Sequence, residues 1–251
     1  SLSSALLNSA SQPWVAKPWV EGELGEGVSR PVVNPSGPAD VVGGVRDARE
    51  AEVSSALVGA VNAGPLWLAT PPQERAAILE RAAEAMESQM QQLIGLLVRE
   101  AGKTYNNAIA EVREAVDFLY YYAGMVRDDF DNETHRPLGP VVCISPWNFP
   151  LAIFAGQIAA ALAAGNSVLA KPAEQTPRIA AQAVQIMLDA GVPAGGLHRL
   201  PCQGETVGAQ WTGDERVSGW GITGATAVAT WLQGILAGRL EPQGRLIGRA
   251  Q

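Results

Sequence analysis

The sequence predicts an α/β fold in which a helical N-terminal part precedes a parallel sheet. From residue 140 onwards, short β-branched runs alternate with helical segments, and this alternation is typical of a parallel sheet with right-handed crossovers. Between residues 47 and 126, apolar residues recur at the three- and four-residue spacing of amphipathic helices. With 251 residues and 47% hydrophobic content, the chain can bury a core of ordinary size.

The charge and cysteine content exclude several classes of protein. A net charge of −7 argues against nucleic-acid binding, which needs clustered Lys and Arg. Two cysteines are too few for a disulfide framework, and residues 1–10 lack the basic flank and long apolar run of a signal peptide. The most apolar stretch, residues 151–170, contains Gln157 and Asn166 and would be a poor membrane span. We expect a cytoplasmic protein without a transmembrane helix.

The N-terminal segment, residues 1–47, is rich in Pro and Gly and is expected to form short strands and loops. A first helix then begins with Asp47 as a candidate N-cap, has Glu50 three residues later, and is expected to stop at Gly64. It opens the helical part of the chain, residues 48–127.

The second helix carries a strong start signal. Thr70 is the candidate N-cap, Pro71 fills the first helical position, and Gln73 completes a capping box. The apolar stripe behind them continues without interruption, so we expect one helix ending at Gly102.

A third helix is expected from about Thr104 to Val126. Its apolar stripe defines a buried face, and its carboxylates Glu111, Glu114 and Asp117 are assigned to the solvated face, where such groups usually lie.

The second half of the chain contains the βα repeats. Strands are expected at residues 140–145, 166–170, 197–200 and 216–223, and helices at residues 151–165, 176–191, 204–212 and 225–238. In such sheets ligands bind beyond the carboxyl ends of the strands. Polar turns follow these ends. Lys171 and Glu174 could bracket a ribose, and Gly224 before a helix lets a phosphate approach the backbone.

The residues at these turns carry a family resemblance. The segments GPVVCISPWNFPLAIFAGQIAAALAAGNSVLAKPAEQTP and GETVGAQWTGDERVSGWGITGAT resemble the coenzyme-binding region of the aldehyde dehydrogenase superfamily. Residues 1–10, 69–104 and 107–124 resemble its proline utilization A branch in particular. The resemblance implies an aldehyde-dehydrogenase-type, Rossmann-like NAD-binding domain, residues 140–251, with a helical N-terminal part and without the catalytic domain.

The resemblance also explains the lone amide in Cys143–Pro150, CISPWNFP. Asn148 matches the asparagine whose amide stabilises the oxyanion formed when a thiolate attacks the aldehyde. A neutral donor suits this task, and the flanking prolines restrict the backbone that aims it. The alternative is that Asn148 only caps a helix beginning near Phe149.

Other positions are assigned through the same resemblance. It implies that the nicotinamide end is bordered by Ile144, Ser145, Pro146 and Trp147, and that the adenosine ribose is held by Lys171 and Glu174. It also implies that the adenine-side helix contains Gly204 and Gly208. The turn near the pyrophosphate would be formed by Thr223, Gly224 and Ala225. Ala225 departs from the family's serine, and the change removes one hydroxyl. A carboxylate at Glu174 favours NAD over NADP.

The implied partners follow from the same branch. The substrate is a small aldehyde, L-glutamate γ-semialdehyde, which is oxidised to glutamate in the second step of proline degradation. Residues 128–139 resemble the start of a β-flap through which these enzymes form homodimers. The resemblance places FAD, a DNA-binding domain and any peripheral membrane association in other parts of the full protein.

The sequence lacks the two motifs that carry the rest of the chemistry. The family's Glu-Thr-Gly-Gly and Gly-Gln-Arg-Cys would follow GRLEPQGRLIGRAQ, so we expect a fragment with a divergent end, an incomplete sheet without its last strand, and no activity on its own. Neither Cys143 nor Cys202 occupies the nucleophile position, and His135 and His198 lack metal-ligand spacing. Another aldehyde dehydrogenase and a non-catalytic assembly module remain as alternatives.

Overall fold

The computed structural model describes residues 14–203, 210–224, 226, 230, 233, 234, 237 and 245–250. Its N-terminal strands are β1 (Val15–Ala16), β2 (Trp19–Val20), β3 (Glu23–Leu24), β4 (Arg30–Asn34) and β5 (Gly37–Val45). Four helices follow, namely α1 (Glu50–Ala69), α2 (Pro72–Ser88), α3 (Met90–Ala101) and α4 (Tyr105–Asp129). The remaining elements are β6 (Val141–Ile144), α5 (Ala152–Ala163), β7 (Val168–Lys171), α6 (Pro177–Asp189), β8 (Leu197–Arg199), β9 (Gly219–Gly224) and β10 (Arg245–Ala250).

Within the described residues, the larger sheet has seven strands in the order β10-β9-β6-β7-β8-β2-β3. Its strands from β10 to β8 are parallel, whereas β2 runs antiparallel to β8 and to β3. Numbered along the chain, the parallel strands lie in the order 5-4-1-2-3, which is the arrangement of dinucleotide-binding folds. The predicted α/β class is therefore confirmed, and the strand order reverses between β6 and β9.

Alternating residues of the central strands supply two cores. Val141 and Cys143 of β6 face a core built with helices α2 to α6, whereas Val142 faces the opposite side of the sheet. That second side is covered by α1 through Val53, Ala56, Leu57 and Ala60. Because both faces are covered, β6 is apolar along its whole length, as expected for a central strand of a parallel sheet.

The smaller sheet, β1-β5-β4, is formed by the Pro- and Gly-rich N-terminal segment. The expectation of short strands and loops is confirmed for its described residues. The Arg178 guanidinium of α6 donates to the Val42 carbonyl of β5 and lies 5.5 Å from the centre of the Trp14 ring. These contacts fasten the N-terminal segment to the βα half of the chain.

The first helix differs from its prediction at both ends. It begins at Glu50, with Arg49 as N-cap, and the Arg49 N–H donates to the Glu52 carboxylate at 2.8 Å. Asp47 instead pairs with Arg30 at 3.2 Å. The helix continues through Gly64 to Ala69 because Trp67 is buried, with its indole N–H 3.0 Å from the Leu162 carbonyl. Tertiary packing here overrides the stop signal.

The predicted second helix is two helices. It begins at Pro72 rather than Pro71, and Thr70 is the C-cap of α1. A break at Gln89 then separates α2 from α3, which allows both apolar faces to reach the same core. The predicted end at Gly102 is confirmed, since this residue takes a left-handed conformation with φ of 65°.

The third helix is confirmed, and one of its side-chain assignments is wrong. The Thr104 hydroxyl caps α4 by accepting from the Asn107 N–H at 3.3 Å. Glu114 and Asp117 are exposed, as predicted. Glu111, however, is buried, because it lies at helical spacing between Ala108 and Ala115 on the apolar stripe. Its carboxylate belongs to the interior of the protein.

The C-terminal elements bring a second correction. β6, β7, β8 and β9 match the predicted strands, but the sheet does not end at β9. Residues Arg245–Ala250 form β10, which pairs in parallel with β9 from Arg245 opposite Gly219 to Ala250 opposite Gly224. The expected loss of the last strand was wrong. The predicted helices at residues 204–212 and 225–238 lie mostly outside the described residues.

The segment that links α4 to β6 contains turns and no strand over residues 130–139. The Asn132 side chain accepts from Arg75 at 3.2 Å and donates to the Leu68 carbonyl at 2.8 Å. These bonds hold the start of the predicted flap against the α1–α2 junction.

None of the described helices is by itself long and apolar enough to cross a membrane. α1 and α2 together reach the required length and composition, but they are bent by 111° relative to each other.

A buried carboxylate connects the helical part to the βα half. Glu100 of α3 accepts from the backbone N–H groups of Arg178 and Ile179, at 2.7 and 2.8 Å, at the start of α6. Burial raises the pKa of Glu100 to about 7, and the two N–H donors and the Arg178 cation oppose that rise only in part. The folded protein therefore binds a proton on Glu100 more tightly than the unfolded chain does.

This linkage makes the stability of the chain depend on pH. Because the folded pKa of Glu100 lies above its ordinary value of 4.5, its contribution to stability is fully present below that value and is lost as the pH rises through about 7. We expect the free energy of unfolding, measured by urea titration, to fall by up to about 3 kcal/mol from pH 5 to pH 8 through this group. Glu100→Gln should remove that part of the fall.

Other groups, His198 among them, titrate in both the unsubstituted chain and the Glu100→Gln variant. Their effect therefore cancels when the two free energies of unfolding are subtracted at each pH. Glu87→Gln, on the exposed face of α2, is the control and should leave the pH profile unchanged. If the free energy of unfolding of Glu100→Gln changed with pH in parallel with that of the unsubstituted chain, the raised pKa of Glu100 would be contradicted.

Candidate active site at the sheet crevice

The reversal of strand order places the end of β6 at the centre of a crevice. Ile144, the last residue of β6, is paired with Lys171 of β7 on one side and Ile222 of β9 on the other. The Ser145 N–H, which follows, lies 3.4 Å from the Lys171 carbonyl. The turns after β6, β7 and β9 are therefore neighbours, and crevices of this kind hold the ligand in open α/β sheets.

Asn148 lies in the loop between β6 and α5. It is half-buried, while the neighbouring Trp147 and Phe149 are 56% and 36% exposed. α5 begins at Ala152 and its N-cap position is Leu151, so Asn148 is not the N-cap of this helix. The alternative role as a helix cap is not supported by these bounds.

The N-terminus of α5 is capped by Glu111 from α4. One carboxylate oxygen of Glu111 accepts from the Leu151 and Ala152 N–H groups, at 2.8 and 3.3 Å. The other oxygen is 2.5 Å from the Lys103 ammonium. Burial raises the pKa of Glu111, and Lys103 and the two N–H donors counteract this. A charged pair thus lies directly behind the Asn148 loop.

Polar groups beneath the loop are only partly paired. The Gln157 amide nitrogen of α5 donates to the Thr223 hydroxyl of β9 at 3.0 Å, which crosses the point where the strand order reverses. The Ser145 hydroxyl and the Gln157 carbonyl oxygen are buried and have no hydrogen-bond partner among the described residues. Such groups are costly unless a partner is supplied, and they fit a polar ligand in the crevice.

Lys171 and Glu174 lie together at the end of β7. The Lys171 ammonium is 3.6 Å from the Glu174 carboxylate, and their side chains are 8% and 40% exposed. The Arg30 guanidinium is 3.4 Å from the Glu174 carbonyl, beside an open cavity of about 410 Å³ that is lined in part by Arg30 and Asp47. A charged pair with one accessible carboxylate can accept hydrogen bonds from hydroxyl groups.

The end of β9 leaves room for a close approach. Gly224 has no described atom within 4 Å of the position that a Cβ would take. Gly219, Gly221 and Gly224 have the spacing G-x-G-x-x-G, but all lie within strand β9, whereas the phosphate-binding motif needs a strand-to-helix turn. The spacing is therefore not that motif here. Gly204, Gly208 and Ala225 lie outside the described residues.

A comparison with known families identifies the chain. A sequence model described as "Aldehyde dehydrogenase family" matches residues 19–244. The chain belongs to the aldehyde dehydrogenase family. The resemblance seen in the segments around Asn148 and Lys171 is thereby confirmed.

Individual members of the aldehyde dehydrogenase family match over nearly the whole chain. The "Bifunctional protein PutA" of Klebsiella aerogenes is 71% identical over 245 residues, 98% of this chain and 19% of the relative. A solved PutA from Bdellovibrio bacteriovorus has a TM-score of 0.91 at 30% identity and covers 99% of this chain, which covers 28% of it. A Thermus 1-pyrroline-5-carboxylate dehydrogenase with bound NAD has a TM-score of 0.92 at 33% identity, with 99% and 52% covered. The chain spans about a fifth of the length of the curated relatives it matches first.

Two site residues of this aldehyde dehydrogenase chain were missed by sequence reasoning. Gln157 is the polar residue within an otherwise apolar helix, and that isolation was a usable signal. Glu111 lies three residues after Ala108 and four before Ala115, so helical spacing already placed it on the buried stripe. The general expectation that carboxylates are solvated led to the wrong assignment of Glu111 to the surface, and its role in capping α5 was therefore missed.

The two cysteines of this aldehyde dehydrogenase chain are buried thiols. Cys143 is 1% and Cys202 2% exposed, and both are unbridged. Burial raises the pKa of each thiol to about 12. Since only the thiolate is a strong nucleophile, neither group is suited to attack an aldehyde near neutral pH.

The histidines have structural contacts. The His198 ring nitrogens contact the Glu21 N–H at 3.2 Å and the Gly195 carbonyl at 2.9 Å, and burial lowers the pKa of His198 to about 4. His135 stacks on Phe130 with ring centres 4.3 Å apart. In the described part of the chain, no three His, Cys, Asp or Glu side chains are grouped so that they could hold a metal ion.

The burial of the thiols predicts slow modification. We expect both cysteines of the native chain to react with Ellman's reagent at least about a hundredfold more slowly than in urea, because little thiolate forms at a raised pKa. Absorbance at neutral pH with and without urea measures this, and the unfolded chain serves as the control for two reactive thiols. Rapid modification of one thiol in the native chain would contradict its burial and would make that cysteine a candidate nucleophile.

Proposed function

We propose that this chain provides the NAD-binding part of a dehydrogenase that oxidises L-glutamate γ-semialdehyde to glutamate, within a bifunctional proline-degrading protein. The observation that carries this proposal is the 71% identity to "Bifunctional protein PutA" over 98% of the chain. The likeness to a 1-pyrroline-5-carboxylate dehydrogenase with bound NAD supports both the substrate class and the cofactor.

The crevice residues fit a dinucleotide. NAD, when bound, supplies the acceptor for the hydride. Ile144, Ser145, Pro146 and Trp147 would border its nicotinamide end, where the buried Ser145 hydroxyl lacks a partner among the described residues. Lys171 and Glu174 would hold a ribose through the ammonium and the accessible carboxylate. Thr223 and Gly224, together with Ala225, Gly204 and Gly208, complete the proposed cofactor contacts.

Asn148 is the proposed oxyanion stabiliser. Its amide would donate to the oxygen that becomes negative when a thiolate adds to the aldehyde carbon. The loop that carries it is held at the β6 end by the Ser145 bond to Lys171 and at the α5 end by Glu111. A donor fixed before the reaction does not need to reorganise as charge develops.

The thiolate and the general base belong, in this proposal, to residues outside these 251. Cys143 and Cys202 are buried thiols with raised pKa values, and the sequence contains neither Glu-Thr-Gly-Gly nor Gly-Gln-Arg-Cys. The same proposal includes a homodimer formed through the segment that starts at residues 128–139, a cytoplasmic location, and FAD with the proline dehydrogenase activity in another part of the protein. A DNA-binding domain and peripheral membrane association would likewise lie elsewhere in it.

The complete gene product tests the proposal directly. The reading frame that contains these residues should encode Glu-Thr-Gly-Gly and Gly-Gln-Arg-Cys, and the purified protein should form NADH from glutamate semialdehyde with a higher kcat/KM than from other aldehydes. Absence of both motifs would favour a non-catalytic assembly module. Preference for an unrelated aldehyde would favour a different aldehyde dehydrogenase.

Cofactor choice gives a further prediction. A carboxylate at the ribose repels a 2′-phosphate, so the complete gene product should use NAD in preference to NADP, and Glu174→Gln should narrow the ratio of the two kcat/KM values by about tenfold. Steady-state kinetics with both cofactors measures this. Glu87→Gln, at an exposed position of α2 that is not assigned to the cofactor, is the control. A ratio that is unchanged by Glu174→Gln would remove Glu174 from the cofactor site.

The role of Asn148 predicts a selective loss of turnover. Asn148→Ala in the complete gene product should lower kcat by roughly a hundred- to a thousandfold, because the lost hydrogen bond is strongest in the transition state. The Kd for NAD, measured by fluorescence titration, should change little. Normal turnover together with a lower melting temperature would mean that Asn148 serves only the fold.

A further inference from the structure

A buried ion pair lies directly behind the loop that carries Asn148. We propose that Glu111 is a positioning residue for Asn148: through Leu151, Ala152 and Lys103 it fixes the loop of residues 145–150, and so aims the oxyanion-binding amide. This inference rests on the proposed function, because it deepens the role given there to Asn148.

The loop is held at both ends and contains little freedom between them. At one end, the Ser145 N–H lies 3.4 Å from the Lys171 carbonyl. At the other, the Leu151 N–H donates to Glu111 at 2.8 Å, three residues after Asn148. Pro146 and Pro150 restrict the backbone between these points. A change at the Glu111 end would therefore be transmitted to Asn148 over a short, stiff segment.

The cap of α5 comes from another helix rather than from its own N-cap residue. Leu151 occupies the N-cap position and makes no side-chain cap hydrogen bond. A Ser, Thr or Asn at that position would accept from the N–H of the second or third helical residue, not from the Leu151 and Ala152 N–H groups that Glu111 reaches. The cap of α5 is instead the fully buried carboxylate of Glu111, which is paired with Lys103. Without that partner, the buried charge would be strongly destabilising. Such an arrangement connects α4 to the start of α5, which a local cap would not do.

The cation of the pair extends the contact to the neighbour of Asn148. The Lys103 ammonium is 2.5 Å from Glu111 and 4.2 Å from the centre of the Phe149 ring. Lys103 directly follows Gly102, whose left-handed conformation ends α3 and turns the chain toward α4. Phe149 therefore contacts the cation of the ion pair, and Leu151 contacts its carboxylate. The two contacts fix the positions of Phe149 and Leu151 relative to each other.

The geometry has a kinetic consequence. An oxyanion donor must stand within hydrogen-bond distance of an atom whose charge appears only in the transition state. A displacement of about 1 Å in such a group can cost roughly a hundredfold in rate. Loosening the Glu111 anchor should therefore lower turnover without removing a group that contacts the cofactor.

The test is Glu111→Gln in the complete gene product. Glutamine has the same shape, but it has no charge for Lys103 and only one accepting oxygen. We expect kcat with glutamate semialdehyde to fall by about tenfold or more, while KM for NAD stays within about twofold, because only the aim of Asn148 changes. Glu114→Gln, on the exposed face of the same helix, is the matched control and should leave kcat unchanged.

A double variant separates positioning from general damage. If Glu111 acts through Asn148, then Glu111→Gln combined with Asn148→Ala should have the kcat of Asn148→Ala alone, within about twofold. Two independent effects would instead multiply. A double variant that loses the product of both single losses would overturn the proposal, as would a Glu111→Gln variant with normal kcat.

The outcomes for this residue and for the proposed function are distinguishable. Normal kcat in Asn148→Ala refutes the oxyanion role itself. A low kcat in Asn148→Ala with a normal kcat in Glu111→Gln refutes only the positioning role. If Glu111→Gln does not fold, Glu111→Asp keeps the charge but withdraws it from the Leu151 N–H, and it should show the same selective loss of kcat. A normal kcat in that variant would overturn the proposal.

Discussion

The structure depends on buried glutamates that reach from the helical part to the helix starts of the sheet domain. Glu111 caps α5 and Glu100 caps α6, each by accepting from two backbone N–H groups. A helix N-terminus carries partial positive charge and unsatisfied donors, so it stabilises a carboxylate that burial would otherwise penalise. α5 follows the loop that carries Asn148, and α6 follows β7, which ends at Lys171. The helical part is therefore a support for the site as well as a cover for the sheet.

The position of the crevice follows from the strand order. β6 is central among the parallel strands, with β7 and β8 on one side of it and β9 and β10 on the other, so the strand order reverses at its end. Gln157 donates to Thr223 there, and Ser145 directly follows Ile144, which is paired with Ile222 of the same strand as Thr223. The Ser145 hydroxyl and the Gln157 carbonyl oxygen are buried and have no hydrogen-bond partner within the described part of the chain, which is the state expected of a site that a ligand completes.

The sequence was most informative where the signal was local. Gly102 and Thr104 mark a helix end and a helix start through their own backbone and hydroxyl chemistry, and both were predicted. It was least informative where distant contacts compete with local preference. Trp67 carries α1 past Gly64 because its ring fills the core, and Gln89 interrupts an apolar stripe that continues without a break in the sequence. β10 pairs with β9 although its residues depart from the family pattern that suggested its absence.

By itself, the sequence determined the α/β class, the strand ends and turns that carry Asn148, Lys171, Glu174 and Thr223, and the family through the motifs around them. These are properties of short segments, whose turn chemistry and apolar period are set by neighbouring residues. Only the tertiary structure decided that Glu111 caps α5 and pairs with Lys103, and that Gln157 donates a hydrogen bond to Thr223. The physical reason is that the cost of burying a polar group depends on partners far away in the sequence, and such partners become neighbours only when the sheet and its helices are assembled.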